Sequence, residues 1–306
     1  MSPGVALCAV ALLGIAPGAV AVGQLQNRAI EFSIDAGERV ADLWRRLEAS
    51  GLTSEASLLE VAGAATFDAH PFVPAPSASI SRFEGLFAPG TYSLQLSIQG
   101  GLPAEQQQYQ ATLQLIAALL EASHERLARL ALGGSPPLGG SPPLGGSPPL
   151  GGGLATLYRS VTLASIVEKE DVPGREYGTV ASVFENRLRT GMRLGSCPTL
   201  EYALGYHRPF LLDSDIAVDS PYNTYLHGGL PPTPICFFSD AALQATLHPP
   251  VTSFYFFVLD WVANRIYFAH TYQEHLANAH RAMSNFVRVF GAGALHMKEP
   301  GKFYTR

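Results

Sequence analysis

From Gly133 to Leu150 the chain writes Gly-Gly-Ser-Pro-Pro-Leu three times in succession, and Gly151-Gly152-Gly153 closes the run. Proline removes backbone donors and glycine is costly to order, so neither helix nor sheet holds such text. A period of six is too short for a solenoid unit with its own core. Residues 133–153 therefore read as a linker without chemistry of its own. Any folded body has to be assembled from the text on either side.

Both sides have the material for it. Of 306 residues 47% are hydrophobic and 15% charged, which excludes a disordered chain. Before Leu154 there are 7 basic and 12 acidic residues, and from Leu154 onward 13 of each, so neither side is a basic platform for nucleic acid. Seven of the nine histidines lie after Leu154, which marks that part as the place for chemistry. Three cysteines, Cys8, Cys197 and Cys236, are too few for a disulfide framework, and sequence alone leaves open whether the last two pair. There is no CxxC or HExxH spacing, so no metal site is expected.

Val5 to Val22 is an uncharged run of 18 residues, and Arg28 is the first charged side chain. A membrane span needs about 20 residues, so residues 1–27 read as an anchor, with a cleaved signal segment ending near Ala19-Val20-Ala21 as the competing reading. Ala29 to Ile34 alternates as a short strand. A helix carrying Val40, Leu43 and Leu47 and stopped at Gly51 follows, then a second helix capped by Ser54. This small strand-helix-helix unit, residues 28–66, either binds glycan or acts as a spacer. Residues 67–82 are loop, Ser93 to Ile98 alternates again, and a helix is expected from about Pro103 to Leu132, closing a region 67–132.

Beyond the linker, Leu157 to Asp171 reads as a mostly apolar helix that ends in acid. Helical spacing puts Leu157, Val161, Ala164 and Glu168 on one face and turns Lys169 and Glu170 away. A carboxylate on an apolar stripe is costly to ionise, the property a general acid needs near neutral pH. The same spacing also suits a structural glutamate paired at a helix end. Val180 to Leu188 continues helically to a stop at Gly191, and Cys197 to Gly205 combines a turn with a short helix. Ser220 to Ile235, rich in Tyr, Asn, Thr, Gly and Pro, is a stiff polar loop suited to stacking on sugar rings. Ser253 to Leu259 and Arg265 to Ala269 form paired strands, and a helix from Tyr272 to Phe290 closes the region 154–306.

The order of these motifs resembles the endolytic murein transglycosylases, the YceG-like family. The pieces that carry the resemblance are Phe83 to Tyr92, Leu163 to Glu170, Val180 to Leu188, Pro198-Thr199, Tyr222-Asn223-Thr224-Tyr225, Gly229 to Ile235 and Phe268 to Asn278. The resemblance implies an α+β protein: a small LysM-like unit followed by a mixed α+β catalytic domain. It also implies an enzyme of the inner membrane, single-pass, with its catalytic domain on the extracytoplasmic side. Such an enzyme cuts nascent peptidoglycan strands between N-acetylmuramic acid and N-acetylglucosamine and leaves 1,6-anhydro ends. Glu168 falls on the family's catalytic glutamate. Glu84, Tyr92, Tyr222, Asn223 and Thr224 are expected to contact glycan or orient Glu168. Neither a metal nor an organic cofactor is implied, and the implied partner is a peptidoglycan synthesis complex.

Two features depart from the family pattern. Cys197 stands where an Asp commonly precedes Pro-Thr, and the triple repeat is an insertion. Two other classes compete with the enzyme so described. One is a noncatalytic glycan-binding envelope scaffold; the other is a hydrolase using Cys197 or Cys236 with a histidine, which the apolar surroundings of Cys236 argue against.

Overall fold

The computed structural model describes residues 25–131, 153–170 and 174–300. The apolar run Val5 to Val22, the triple repeat and Asp171 lie outside them. Among the described residues no helix is long and apolar enough to cross a membrane.

In the part before the repeat, β1 (Leu25–Ile34) begins four residues earlier than its alternating text, because Leu25 and the polar residues 26–28 are carried by a partner strand. That partner is β2 (Gly90–Gln99), antiparallel and in register from Leu25 opposite Gln99 to Ile34 opposite Gly90. A boundary at residue 66 therefore runs through the sheet. Between the strands, α1 (Val40–Glu48) buries Val40, Leu43, Trp44 and Leu47, the i, i+3, i+4, i+7 set of an amphipathic helix. Next, α2 (Glu55–Ala64) starts at Ser54, whose side chain and that of Ser57 cap each other's backbone N–H. The long α3 (Ala104–Ala131) then packs on α2 and β2. Phe83, Phe87, Leu96 and Leu115 fill the core, which also takes in Phe237 from far along the chain.

After the repeat come α4 (Gly153–Glu170), α5 (Tyr177–Arg189), α6 (Cys197–Leu204), β3 (Tyr206–His207), α7 (Asp213–Ile216) and α8 (Asp240–Leu247). The hairpin β4 (Phe256–Asp260) and β5 (Arg265–Ala269), the amphipathic α9 (Tyr272–Phe290) and β6 (Glu299–Pro300), paired with β3, complete it. Pro198 starts α6 and Gly205, at φ 76°, ends it. Helices α4, α5 and α8 meet around a second core that includes Val161, Ile166, Phe184 and Leu243. Asn186 and Arg187 of α5 hold the approach to the hairpin: the Asn186 amide donates to Thr252 O and Phe254 O, both at 2.9 Å, and Arg187 Nε donates to Tyr255 O at 2.6 Å.

The two parts are joined by backbone as well as by packing. Gly37 N donates to Phe237 O at 2.6 Å and Phe237 N donates to Glu38 O at 2.8 Å. Arg126 of α3 reaches across to Phe238 O at 2.8 Å and to Asp240 at 2.5 Å.

Candidate active site

Glu168 lies in the last turn of α4 and is 5% exposed. Its helix is buried on every side over Leu163 to Lys169, so the apolar stripe on which Glu168 was placed is one face of a fully enclosed segment. Lys169 does not leave the protein: its ammonium donates to Gly37 O at 3.1 Å, and burial holds it below the ordinary lysine range. Glu170 meets a different set of groups. Burial, and to a lesser degree Glu201, raise its carboxyl to about 7 against the pull of Ser196 and Arg187.

Both oxygens of Glu168 are engaged. Oε1 accepts from the Tyr177 hydroxyl at 3.1 Å. Oε2 accepts from Ser239 twice, from the backbone N–H at 3.0 Å and from the hydroxyl at 2.6 Å. Ser239 is also the N-cap of α8, its Oγ accepting the Ala242 N–H at 3.2 Å. The carboxylate thus sits against the start of a helix, where exposed N–H groups and the helix dipole favour negative charge. Arg126 grips the residues before and after Ser239, fixing it from the other part of the chain.

Glu84 is 2% exposed and binds the two parts of the site together. Arg39 offers no capping side chain at the start of α1, and Glu84 replaces it by accepting the Val40 N–H at 3.0 Å. Its other oxygen accepts from the Tyr202 hydroxyl of α6 at 3.1 Å. Burial raises the Glu84 carboxyl to about 7. Next to it, Gly85 at φ +71° leaves room for the Pro-rich loop: a Cβ there would stand 2.4 Å from Pro234 Cβ. The same loop docks on α4, with Ile235 N donating to Ser165 Oγ at 3.0 Å. The Glu-Gly and Pro-Pro-x-Pro-Ile motifs, distant in sequence, are therefore one contact.

Tyr222 packs on Tyr202 with ring centroids 4.8 Å apart, and its hydroxyl pairs with that of Thr233 at 2.7 Å. Asn223 is fully buried; its amide donates to Ile216 O and Val218 O, and its Oδ1 accepts from Tyr225 N. Thr224, 2% exposed, accepts from Ser196 N at 2.9 Å and pairs with the Thr199 hydroxyl at 2.8 Å. These two side chains shape the loop from inside. Tyr92 belongs to the sheet, its ring stacked on Phe32 at 5.4 Å and its hydroxyl donating to Ala88 O at 2.5 Å. Burial raises its hydroxyl, opposed by the charge of Arg126.

The two cysteines of this part are unpaired with each other. Cys236 is buried and donates to Ser165 O at 3.2 Å; burial pushes its thiol well up, opposed by Lys169 and reinforced by Glu168 and Glu84. Cys197, in the position of the missing Asp, lies 3.0 Å from the Tyr225 hydroxyl, and burial raises its thiol too. Neither has the electropositive, exposed setting of a reactive thiolate. Among the described residues no group of three His, Cys, Asp or Glu side chains is placed to hold a metal ion.

Sequence reasoning missed Tyr177, Ser239, Arg126 and Tyr202. For Ser239 a signal existed: a serine followed by Asp240 and then Ala242, Leu243, Thr246 and Leu247 is a helix start with an apolar face. The other three are marked by nothing local.

Fold and site together define a mixed α+β protein whose central feature is a buried glutamate cradled by a helix start and a phenol. The YceG-like family's sequence profile matches residues 16–281, and the chain belongs to that family. It is 37% identical over 120 residues to a Bacillus subtilis protein named endolytic murein transglycosylase, covering 39% of this chain and 33% of that one. A Streptococcus pneumoniae protein of the same name is 33% identical over 128 residues, which cover 40% of this chain and 23% of the relative. The matched region thus spans a third or less of these relatives' own lengths. A crystal structure of a YceG-like protein from Listeria monocytogenes superposes with a TM-score of 0.64 at 28% identity, covering 81% of this chain and 75% of that one.

Proposed function

We propose that this chain is an endolytic peptidoglycan lytic transglycosylase with Glu168 as its catalytic residue. The observation that carries the reading is a buried carboxyl group with both oxygens held in place; the catalytic role is what the sequence resemblance implies for this glutamate. The names of the Bacillus and Streptococcus relatives support the reaction class. Protonated Glu168 gives its proton to the glycosidic oxygen between N-acetylmuramic acid and N-acetylglucosamine as the C1–O bond breaks. The resulting carboxylate takes the proton of the muramyl 6-hydroxyl, whose oxygen closes on C1 to form the 1,6-anhydro end. No water is added and one carboxyl group serves both steps, whereas hydrolysis generally needs two flanking carboxylates.

In this reading Glu84, Asn223 and Thr224 support the cleft from within, while Tyr222 on its loop and Tyr92 in the sheet are the candidates for glycan contact. The protein works in the cell envelope, anchored by the apolar run at its N-terminus, beside a peptidoglycan synthesis complex. The test is mass spectrometry of the soluble products formed by the full chain from uncrosslinked glycan strands, with Glu168→Gln in parallel. Anhydro-ended fragments from the wild type alone are expected. Reducing ends carrying added water, or equal cleavage by the variant, would overturn the assignment.

A further inference from the structure

The two oxygens of Glu168 are not equivalent. Ser239 presents two hydrogens to Oε2, its N–H at 3.0 Å and its O–H at 2.6 Å. The backbone N–H can only donate, and the hydroxyl, which also accepts the Ala242 N–H, presents its one proton to an ionised Oε2. A proton on Oε2 would face the fixed N–H and force the hydroxyl to reverse, and the Ser239 segment has little freedom to retreat, since Arg126 holds Phe238 O and Asp240 on either side and Phe237 N is bonded to Glu38 O. Oε1 faces instead the Tyr177 hydroxyl at 3.1 Å, a group that rotates about its C–O bond and can donate to a carboxylate or accept from an acid.

Resting on the reaction proposed above, we propose that Ser239 and Tyr177 are positioning residues that divide the work of Glu168: Ser239 keeps Oε2 unprotonated throughout, and Oε1, partnered by Tyr177, is the oxygen that gives and takes the proton. In the first step the Oε1–H bond breaks and the proton passes to the leaving glycosidic oxygen, while the Tyr177 hydroxyl turns to donate to the new carboxylate. In the second, Oε1 takes the 6-hydroxyl proton as O6 bonds to C1, and Tyr177 turns back. Atoms and charge balance without a co-reactant. The other ionisable groups of this neighbourhood, Lys169 and Glu170 on α4, Cys236, Asp240 on α8 and Glu84, are the same in wild type and variants.

The test compares full-length wild type, Ser239→Ala, Ser239→Thr and Tyr177→Phe. A hydrogen bond to a charged group has an effect of about tenfold or more on the state it stabilises. Ser239→Ala is expected to lower kcat by about tenfold or more with KM within about twofold, and to move the alkaline limb of the kcat profile to higher pH, because a donor to the carboxylate is lost. Ser239→Thr restores both. Tyr177→Phe, which leaves the α8 cap intact and so does not depend on Ser239→Ala folding well, lowers kcat and moves the limb in the same direction. Carboxyl 13C NMR of labelled Glu168 reads the same shift without turnover, so the inference is decided even if the wild type cleaves no glycan, which would defeat the proposed reaction instead. Unchanged titration midpoints in Ser239→Ala and Tyr177→Phe, or unchanged pH profiles beside an inactive Glu168→Gln, would overturn it.

Discussion

Replacing Glu84 by Gln should change how the protein's stability depends on pH. Glu84 is 2% exposed, and burial lifts its carboxyl from 4.5 to about 7 despite the bonds from Val40 and Tyr202. The folded state therefore holds a proton that the unfolded chain has already released over that interval. Stability rises with pH only where the unfolded state binds more protons, and here the folded state binds more, so the contribution of Glu84 is fully present below 4.5 and is lost as pH climbs through about 7. At about 1.4 kcal/mol per unit, the loss is on the order of 3 kcal/mol. Glutamine does not titrate, so the stability difference between wild type and Glu84→Gln should drift by about 3 kcal/mol against the wild type between pH 4 and 8. Taking the difference removes Glu170, which titrates in the same direction in both proteins. Urea denaturation at unit steps of pH measures it. A difference constant within about 0.5 kcal/mol across that range would show that Glu84 does not carry its proton into the neutral region.

Three other perturbations test the scaffold. Gly85→Ala pushes a Cβ to 2.4 Å from Pro234 at φ +71° and should cost at least about 3 kcal/mol, whereas Gly51→Ala, at φ +72° with open space around it, should cost only about 1–2 kcal/mol; equal losses by thermal denaturation would remove Pro234 from the argument. Asn186→Ala leaves Thr252 O and Phe254 O without their buried donor and should destabilise by about 2–4 kcal/mol in urea titration; a loss under about 0.5 kcal/mol would mean that the two carbonyls find other partners. Arg126→Lys should weaken stability and, if the proposed reaction holds, glycan cleavage, because a single ammonium cannot span Phe238 O and Asp240 as the guanidinium does; unchanged stability in urea titration would show that Ser239 is held by other means.

Local text disclosed those elements whose partners lie close along the chain. The terminal helix Tyr272–Phe290 and the strand Arg265–Ala269 sit where periodicity puts them, while the partner strand starts at Phe256 rather than Ser253 and takes in Asp260, which the sequence reads as turn. The first strand was legible only from Ala29, since residues 26–28 are polar and break the alternation, and residues 25–28 owe their place to β2. Helix α8 was passed over although Ser239 is a regular N-cap. Glu168 was visible as an acid on an apolar stripe, yet the stripe misled about Lys169, which an enclosed helix buries as well. What surrounds Glu168 could not be read locally: Ser239 stands 71 positions away, and Glu84 and Tyr202 are separated by 118. Such contacts follow from topology, which no window of sequence contains.

The join at Gly37 and Phe237 also sets a timetable. The Gly37 carbonyl is received by Lys169, 132 positions on, and its N–H by a carbonyl still further along. A chain emerging from the ribosome completes β1, the helices between the strands and β2 long before it has made the segment that closes over them. Contacts of such separation carry the largest loop entropy and form slowly. The core residues Phe83 and Phe87 wait for Phe237 to cover them, and until Ser239 arrives Glu168 has only part of its cradle. The surroundings of Glu168 are therefore incomplete until the segment that carries Ser239 has been made, and a partly made chain lacks them.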